Sequence, residues 1–310
     1  MDRTFVEEEE EEELSDSENE QANVRWAEML PETLVEVMRR LPSRELLQTV
    51  PQVCKAWRKA SLDPACWQVV DLKDWCISAG GGEIVDRMVK LVVSRSCGGI
   101  RELRVTNLDS DASLHYLAQS RLSSLRTLCI PSSKITEAGL CELILTLPSL
   151  VHLDISKCSA IKCKALEVIG QTCESLIRLD RSMWALNLAT MGPSDDSEAL
   201  AIAHNMPKLK HLEMVSGLLT NAGLIAILDK CPDLEYLDVS RCWNVKYGCT
   251  MSSKCQKVRQ FIGGNTEGSD YDYDEDDDDN AEEWDYRTEF FEDFEYLESY
   301  IEDEFSLFDL

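Results

Sequence analysis

A repeat of about 25 residues fills the middle of this 310-residue chain. The pattern Φ-x-x-Φ-x-Φ, in which Φ is apolar, occurs as IRELRV (100–105), LRTLCI (125–130), LVHLDI (150–155), LIRLDR (176–181), LKHLEM (209–214) and LEYLDV (234–239), with Arg181 as the exception. The copies begin 25, 25, 26, 33 and 25 residues apart, and a weaker seventh copy, VRQF, begins at Val258. One unit cannot bury its own apolar side, so the repeat predicts a curved solenoid of about six to seven stacked units.

Each unit is predicted to consist of a short strand, a turn, a helix and a return loop. In the unit that begins at Leu150, alternation along the strand directs Leu150, Leu153 and Ile155 inward. The rest of that unit is expected to add Cys158, Ile161, Leu166, Ile169 and Cys173 to the core. Stacking lines up the strands on a concave face. The 33-residue interval exceeds the period by about eight residues, predicted to form a surface loop around LATMGPSDD.

The net charge of −27 is concentrated at the two ends of the chain. Residues 1–25 hold 11 acidic and 2 basic residues, and residues 266–310 hold 21 acidic residues and one basic residue. These ends carry −9 and −20, which leaves +2 for residues 26–265. A nearly neutral middle with acidic ends does not attract a nucleic-acid backbone. Residues 1–25 contain little to bury and are predicted to be a disordered acidic tail.

Thirteen cysteines include no pair with the C-x-x-C spacing of zinc or thiol-redox sites. The chain begins with a run of glutamates rather than a secretory signal, and no apolar run reaches about 18 residues. We therefore expect reduced, mostly buried thiols, no metal and no membrane span, in a protein of the nucleus or cytoplasm. No phosphate-binding loop, G-x-S-x-G or H-E-x-x-H occurs, so neither catalysis nor a cofactor is predicted.

Residues 26–72 contain apolar side chains at helical spacing and are predicted to form three short helices. Pro31 stands at a position that favours the start of the first helix, and Pro51 begins the third. Three residues of that third helix are expected to share one face: Val53, Cys54 and Trp57. A segment this small rarely builds a sufficient core alone, so its apolar surface predicts a partner.

The order of residues in this segment resembles an F-box. The resemblance rests on Leu30–Pro31, Leu34, Leu41–Pro42, Leu46–Leu47, the stretch VCKAWR from Val53 to Arg58, and Trp67. The cysteine-containing repeats resemble leucine-rich repeats, and the combination is similar to F-box/leucine-rich-repeat proteins, in particular plant members that bind the Skp adaptor. The resemblance implies a fold that is mostly α with an α/β solenoid, in which a three-helix F-box domain (26–72) precedes leucine-rich repeats (100–264). Composition adds an acidic tail (1–25), a linker with an amphipathic helix (73–99) and an acidic, aromatic-rich tail (265–310), and the family pattern does not explain the tails.

This resemblance implies a non-catalytic subunit of a Skp–cullin–F-box ubiquitin ligase. In such a complex the F-box docks on the Skp adaptor, which joins a cullin and a RING subunit, and the repeats bind a target protein. By resemblance, the adaptor contacts would come from Leu30, Pro31, Leu34, Leu46, Leu47, Val53 and Trp57, some of which must also pack the helices together. The nearby basic residues Lys55, Arg58 and Lys59 are interpreted as a solvated face, or as facing acidic side chains of a partner.

Alternation along the strands predicts which side chains line the concave face. The candidates for target binding are His152, Asp154, Arg178, Asp180, His211, Glu213, Tyr236 and Asp238. An acidic residue recurs at one place in four units, which is either a ladder for a basic peptide or ordinary repeat consensus that shapes the turn. The two histidines stand two units apart with Arg178 between them, which disfavours a cation there.

Arg181 interrupts the inward apolar pattern, and burial of its charge would be costly. The fourth unit is therefore predicted to be distorted, together with its insertion at residues 184–197. Irregular repeats often carry specific contacts, so a target or small-molecule site near Arg181 and Trp184 is one hypothesis.

The acidic C-terminal tail contains apolar residues at a spacing of three to four, which predicts an amphipathic helix. They are Phe290, Phe291, Phe294, Leu297, Ile301, Phe305 and Phe308. This tail could dock on a partner, fold back on the repeats, or only increase solubility. It also supports an alternative function, a scaffold or transcriptional cofactor outside any ligase.

Overall fold

A computed structural model describes residues 29–79, 82–184, 193–246 and 248–263. The chain divides into two compact units, one that ends at Trp67 and one that begins at Gln68. The tails and residues 185–192 lie outside the described residues, so the predicted tail disorder, C-terminal helix and most of the predicted insertion loop are not tested by it. Within the described ranges, no helix combines the length and apolar character needed to cross a membrane.

The first unit is built from short helices separated by prolines and one extended residue. The helices are α1 (Pro31–Met38), α2 (Ser43–Gln48), α3 (Val50–Val53) and α4 (Lys55–Ser61), followed by a 3₁₀ turn (Pro64–Trp67). Pro31 occupies the first helical position of α1, as predicted. The expected third helix is instead two helices, because Cys54 adopts φ −164° and ψ 171° between α3 and α4. The prediction that Val53, Cys54 and Trp57 share one helical face is therefore wrong.

Trp67 is the largest fully buried side chain of the first unit, with 0% exposure. Its indole Nε1 donates a hydrogen bond of 2.8 Å to the Ser61 carbonyl at the end of α4. Asp63 positions the tryptophan by accepting the Ala65 amide at 2.8 Å, which starts the 3₁₀ turn. That turn packs against α1. Around it, the apolar core also contains Leu34, Met38, Leu46, Leu47, Val50 and Ala60.

The second unit is a parallel sheet of eight strands in sequence order, each paired in register with the next. The strands are β1 (Val69–Asp71), β2 (Glu102–Arg104), β3 (Thr127–Cys129), β4 (His152–Asp154), β5 (Arg178–Asp180), β6 (His211–Glu213), β7 (Tyr236–Asp238) and β8 (Gln260–Ile262). β2 to β8 fall in the seven predicted repeats. β1 adds a strand inside the segment assigned to the F-box, because Val70 and Leu72 alternate inward and are buried.

Helices follow the strands β1 to β7 and close the repeat units. They are α5 (Lys73–Ala79), α6 (Glu83–Arg95), α7 (Ala112–Gln119), α8 (Glu137–Ile144), α9 (Cys163–Thr172), α10 (Ser197–Asn205), α11 (Asn221–Lys230) and α12 (Cys249–Cys255). All eight residues of the third unit predicted to face inward, from Leu150 to Cys173, are buried. The structure thus confirms the solenoid with one continuous core.

Buried cysteines join successive units. The thiol of Cys158 donates to the Ile130 carbonyl at 3.3 Å, and that of Cys242 donates to the Met214 carbonyl at 3.1 Å, in each case reaching the preceding unit. Burial raises the pKa of Cys158 to about 11 and that of Cys242 to about 12. Since a thiolate is the reactive form, these cysteines are core residues rather than nucleophiles.

Candidate functional site

The predicted target-binding residues come together on β4 to β7. In register, His152, Arg178, His211 and Tyr236 form one row across the four strands. Asp154, Asp180, Glu213 and Asp238 form the adjacent row. Leu153, Leu179, Leu212 and Leu237 lie between the two rows and are 0% exposed, so the strands hold the polar rows rigidly. The sequence therefore predicted which residues share these two rows, and that they bind a target stays a prediction.

Asp180 is the centre of a charged network on this face and is only 5% exposed. One carboxylate oxygen lies 2.9 Å from Nε2 of His152. Both oxygens accept from Nε of Arg178, at 3.1 and 3.0 Å. Burial alone would raise the pKa of Asp180, but the hydrogen bonds and charges of His152 and Arg178 outweigh burial and lower it. Asp180 is therefore a paired carboxylate.

Arg178 extends the network to β6. Its Nη2 donates to Oε1 of Glu213 at 3.3 Å, and the same oxygen lies 2.8 Å from Nε2 of His211. The His211 ring stacks parallel on Tyr236, with 4.0 Å between ring centroids. The middle of this face is thus an ion-paired network held in one arrangement, and it presents Arg178, His211 and Tyr236 at its surface.

The two outer acidic residues of the row have a different role. Oδ1 of Asp154 accepts the Ser156 amide at 3.0 Å, and Oδ1 of Asp238 accepts the Ser240 amide at 2.9 Å. These bonds shape the turn after each strand. The consensus interpretation therefore fits Asp154 and Asp238, whereas Asp180 and Glu213 belong to the network. On β2, Arg104 stands in the same row and pairs with Glu102 at 3.0 Å, an ion pair that was not predicted from the sequence.

Three ligand atoms of Asp180, His211 and Glu213 lie within 4.8 Å of one another, close enough to be considered for a metal. This group contains only one of the two histidines, His152 and His211, that the sequence offered as possible cation ligands. The Arg178 guanidinium already binds both carboxylates, at 3.0 Å from Asp180 and 3.3 Å from Glu213. A cation would have to displace that guanidinium or share the carboxylates with it, so we interpret the group as an ion-pair network.

The predicted distortion of the fourth unit does not extend to its strand, because β5 pairs in register with both neighbours. Arg181 is buried, with 1% of its side chain exposed. Its Nη2 donates at 2.9 Å both to the Ile161 carbonyl and to Oε1 of Glu198 on α10. The charge is thus compensated inside the core. Glu198 was not identified from the sequence, since a glutamate in the first turn of a helix is common.

Trp184 does not share a site with Arg181, because the tryptophan is 55% exposed while the arginine is buried. Nζ of Lys157 lies 4.2 Å from the centroid of the Trp184 ring, a cation–π contact across neighbouring units. The accessible part of this region is Trp184 beside Lys157, and a target or small-molecule site there stays a prediction.

The seven candidate adaptor contacts divide by exposure. Leu30 is 69% exposed, Val53 is 53% exposed and Pro31 is also exposed, while Trp57 is half-buried. Three leucines are buried in the core of the unit: Leu34, Leu46 and Leu47. Their assignment as contacts is corrected, because side chains that hold the helices together have no free surface to offer. Large exposed apolar side chains on so small a unit indicate a protein-binding surface.

Acid should weaken the ion-pair network by protonating Asp180. Its folded pKa is lowered from 3.8, so its stabilising contribution is complete above that value and is lost as the pH falls through the lower, folded pKa. We expect the Asp180→Asn variant to be less stable than wild type near neutral pH and to lose less stability below about pH 4. Urea denaturation across a pH series measures this. In Asp233→Asn, at an exposed aspartate, the free energy of unfolding should depend on pH as it does in wild type. If the free energy of unfolding fell equally with pH in all three proteins, Asp180 would not be stabilised by its ion pairs.

Comparison with known proteins agrees with both units. A family model described as F-box-like matches residues 31–73. The F-box protein FBW2 of Arabidopsis thaliana is 39% identical over 221 residues, which cover 71% of this chain and 69% of that protein. The putative F-box/LRR-repeat protein 22 of the same plant is 35% identical over 255 residues, 79% of each chain. A chain in the crystal structure of the yeast Rad7–Elc1 complex is similar with a TM-score of 0.38 and 15% identity, over 81% of this chain and 51% of that one.

Proposed function

Because the chain belongs to the F-box/leucine-rich-repeat family, we propose that it is the substrate-recognition subunit of a Skp–cullin–F-box ubiquitin ligase. The observation that carries this proposal is the exposed apolar surface of the F-box unit. Leu30, Pro31, Val53 and Leu62 are exposed there, although the unit has an apolar core of its own. In this proposal that surface docks on the Skp adaptor, and through it the chain joins a cullin and a RING subunit.

The concave face of the repeats would bind the target protein. The ion-pair network fixes Arg178 and His211 before any target arrives, so little side-chain entropy is lost on binding. Tyr236 adds an aromatic surface of the kind that dominates protein interfaces. The bond-forming chemistry takes place on other subunits. This chain contributes proximity: it holds the target near the ubiquitin-charged enzyme and raises the effective concentration of the reacting groups. The complex would work in the nucleus or cytoplasm.

Adaptor capture tests this function directly. We expect the full chain to bind purified Skp adaptor and the double variant Leu30→Asp/Val53→Asp to bind at least roughly 30-fold more weakly, because two exposed apolar contacts become charges that must be buried. Affinity is measured by calorimetry. Leu145→Asp is the matched control, because Leu145 is 66% exposed but lies on the second unit.

Two outcomes would contradict the proposal. One is a wild-type chain that binds no Skp adaptor. The other is an affinity that falls equally in the Leu145→Asp control. The alternative, a scaffold or transcriptional cofactor outside a ligase, would gain if the adaptor is not bound and all partner binding is lost when the acidic tail 265–310 is neutralised.

A further inference from the structure

The last part of the described solenoid is strongly basic. Residues 239–263 contain five basic residues and no acidic one, namely Arg241, Lys246, Lys254, Lys257 and Arg259. The preceding acid is Asp238 and the next is Glu267. We call residues 239–263 the basic end unit. The rest of the middle region is slightly acidic, since residues 26–265 sum to only +2, so the positive charge is concentrated at one end of the sheet.

Most of this charge is not neutralised within the described part of the chain. Lys254 pairs with Asp229 on α11. The pKa of the Asp229 carboxyl is lowered by that hydrogen bond, with the charges of Lys257 and Lys230 adding to the effect. Arg241, Lys246, Lys257 and Arg259 are exposed and form no salt bridge with another described residue. The basic end unit therefore carries surplus positive charge that favours an acidic ligand.

The same unit presents the end of the sheet. Among the described strands, β8 pairs only with β7 and is the last strand of the sheet. Ile262 on β8 is 38% exposed. Terminal units of a solenoid require a cap. A cover that is acidic and supplies apolar side chains would match both the positive charge and the exposed Ile262 of this end.

The next segment of the chain has both properties. Residues 266–310 hold 21 acidic residues and one basic residue, together with aromatic residues at a spacing of three to four. The chain leaves β8 at Gly263, where φ is +143° and a Cβ atom would lie 2.7 Å from Cγ2 of Val239. A residue with a Cβ atom would be strained at this exit, which therefore favours glycine. Three residues separate it from the first tail acid, Glu267.

We propose that the acidic aromatic tail, residues 267–310, docks on the basic end unit of its own chain and caps β8. The tail is tethered beside its site, so its effective concentration is on the order of millimolar without any long loop to close. Repulsion between its carboxylates opposes a free helix, and the basic end unit relieves that repulsion. Its apolar side chains then cover the exposed surface of β8. This proposal is independent of adaptor binding.

Zero-length carboxyl–amine crosslinking of the full chain, read by mass spectrometry, tests the location of the tail. We expect intramolecular links from tail carboxylates to Lys246, Lys254 and Lys257 at low salt. They should fall several-fold at about 1 M salt, where the Debye length is about 3 Å. Hydrogen exchange supplies a second measurement: the amides of Gln260 and Ile262, which lie on the ladder with β7, should exchange about tenfold faster when the tail is released, because an uncapped terminal strand opens more often.

Lys257→Glu/Arg259→Glu is the informative variant. It should reduce tail links to Lys246 and Lys254 and expose the β8 amides. The control Lys162→Glu/Lys164→Glu makes the same change of net charge at two exposed lysines on another unit and should do neither. Links that join two chains, that spread evenly over surface lysines, or that reach Lys55 and Lys59 of the first unit would overturn the proposal. Unchanged exchange of β8 in the informative variant would overturn it as well.

Discussion

Trp67→Ala is expected to unfold the F-box unit. Removal of a fully buried tryptophan leaves a large cavity and costs about 3–5 kcal/mol. It also leaves the Ser61 carbonyl without its indole donor at 2.8 Å. A segment of this size holds only about 2–6 kcal/mol of folding free energy, so one such loss consumes most of it. Trp67→Phe keeps most of the volume and should cost roughly 1–2 kcal/mol.

Segment-resolved hydrogen exchange measures this effect in each unit separately. In Trp67→Ala, amides of α1 and α4 should exchange at nearly unprotected rates, while those of β4 to β7 keep their protection. Trp184→Ala is the control, since Trp184 is 55% exposed and its loss should cost less than about 1 kcal/mol. Protected α1 and α4 amides in Trp67→Ala would show that Trp67 does not hold the unit together.

Glu198→Ala is expected to be the most damaging charge change in the repeats. It leaves the buried Arg181 guanidinium without its counter-ion, which lies 2.9 Å away. Loss of one member of a buried pair costs about 3 kcal/mol, because the remaining charge has been removed from water. Urea denaturation gives the free energy of unfolding. Glu167→Ala on α9, at an exposed glutamate, should change it by less than about 0.5 kcal/mol.

A double-mutant cycle separates the ion pair from other effects. Arg181→Ile restores the apolar residue that the other units carry at this position, as in Ile130 and Ile155. We expect Arg181→Ile/Glu198→Ala to be within about 1 kcal/mol of wild type, although Glu198→Ala alone is severely destabilised. If the effects of the two substitutions on the free energy of unfolding were simply additive, the pair would have no coupling energy. Glu198 would then not compensate the charge of Arg181.

The repeat made most of the second unit predictable from the sequence. Strand positions follow from Φ-x-x-Φ-x-Φ because side chains alternate along a strand, and a fixed period forces equivalent residues into register. His152, Arg178, His211 and Tyr236 could therefore be placed in one row without coordinates, as the structure confirms. In the first unit, Pro31 and Pro51 located the starts of α1 and α3, but the break at Cys54 before α4 was not predicted. Exposure could not be assigned either, because apolar core and contact residues have the same chemistry there.

The sequence by itself determined the architecture: the period, the inward leucines and cysteines, the F-box resemblance and the acidic ends. Only the tertiary structure decided which polar groups meet. Asp180 joins Arg178 and His152, and Arg181 joins Glu198 across 17 residues of sequence. Only the tertiary structure shows that Leu30 and Val53 are exposed whereas Leu34 is buried. Periodicity in the sequence specifies to which side of a strand or helix a Cβ atom points. Hydrogen bonds and burial depend on how far side chains extend toward neighbouring elements, and a pattern along the sequence does not contain that information.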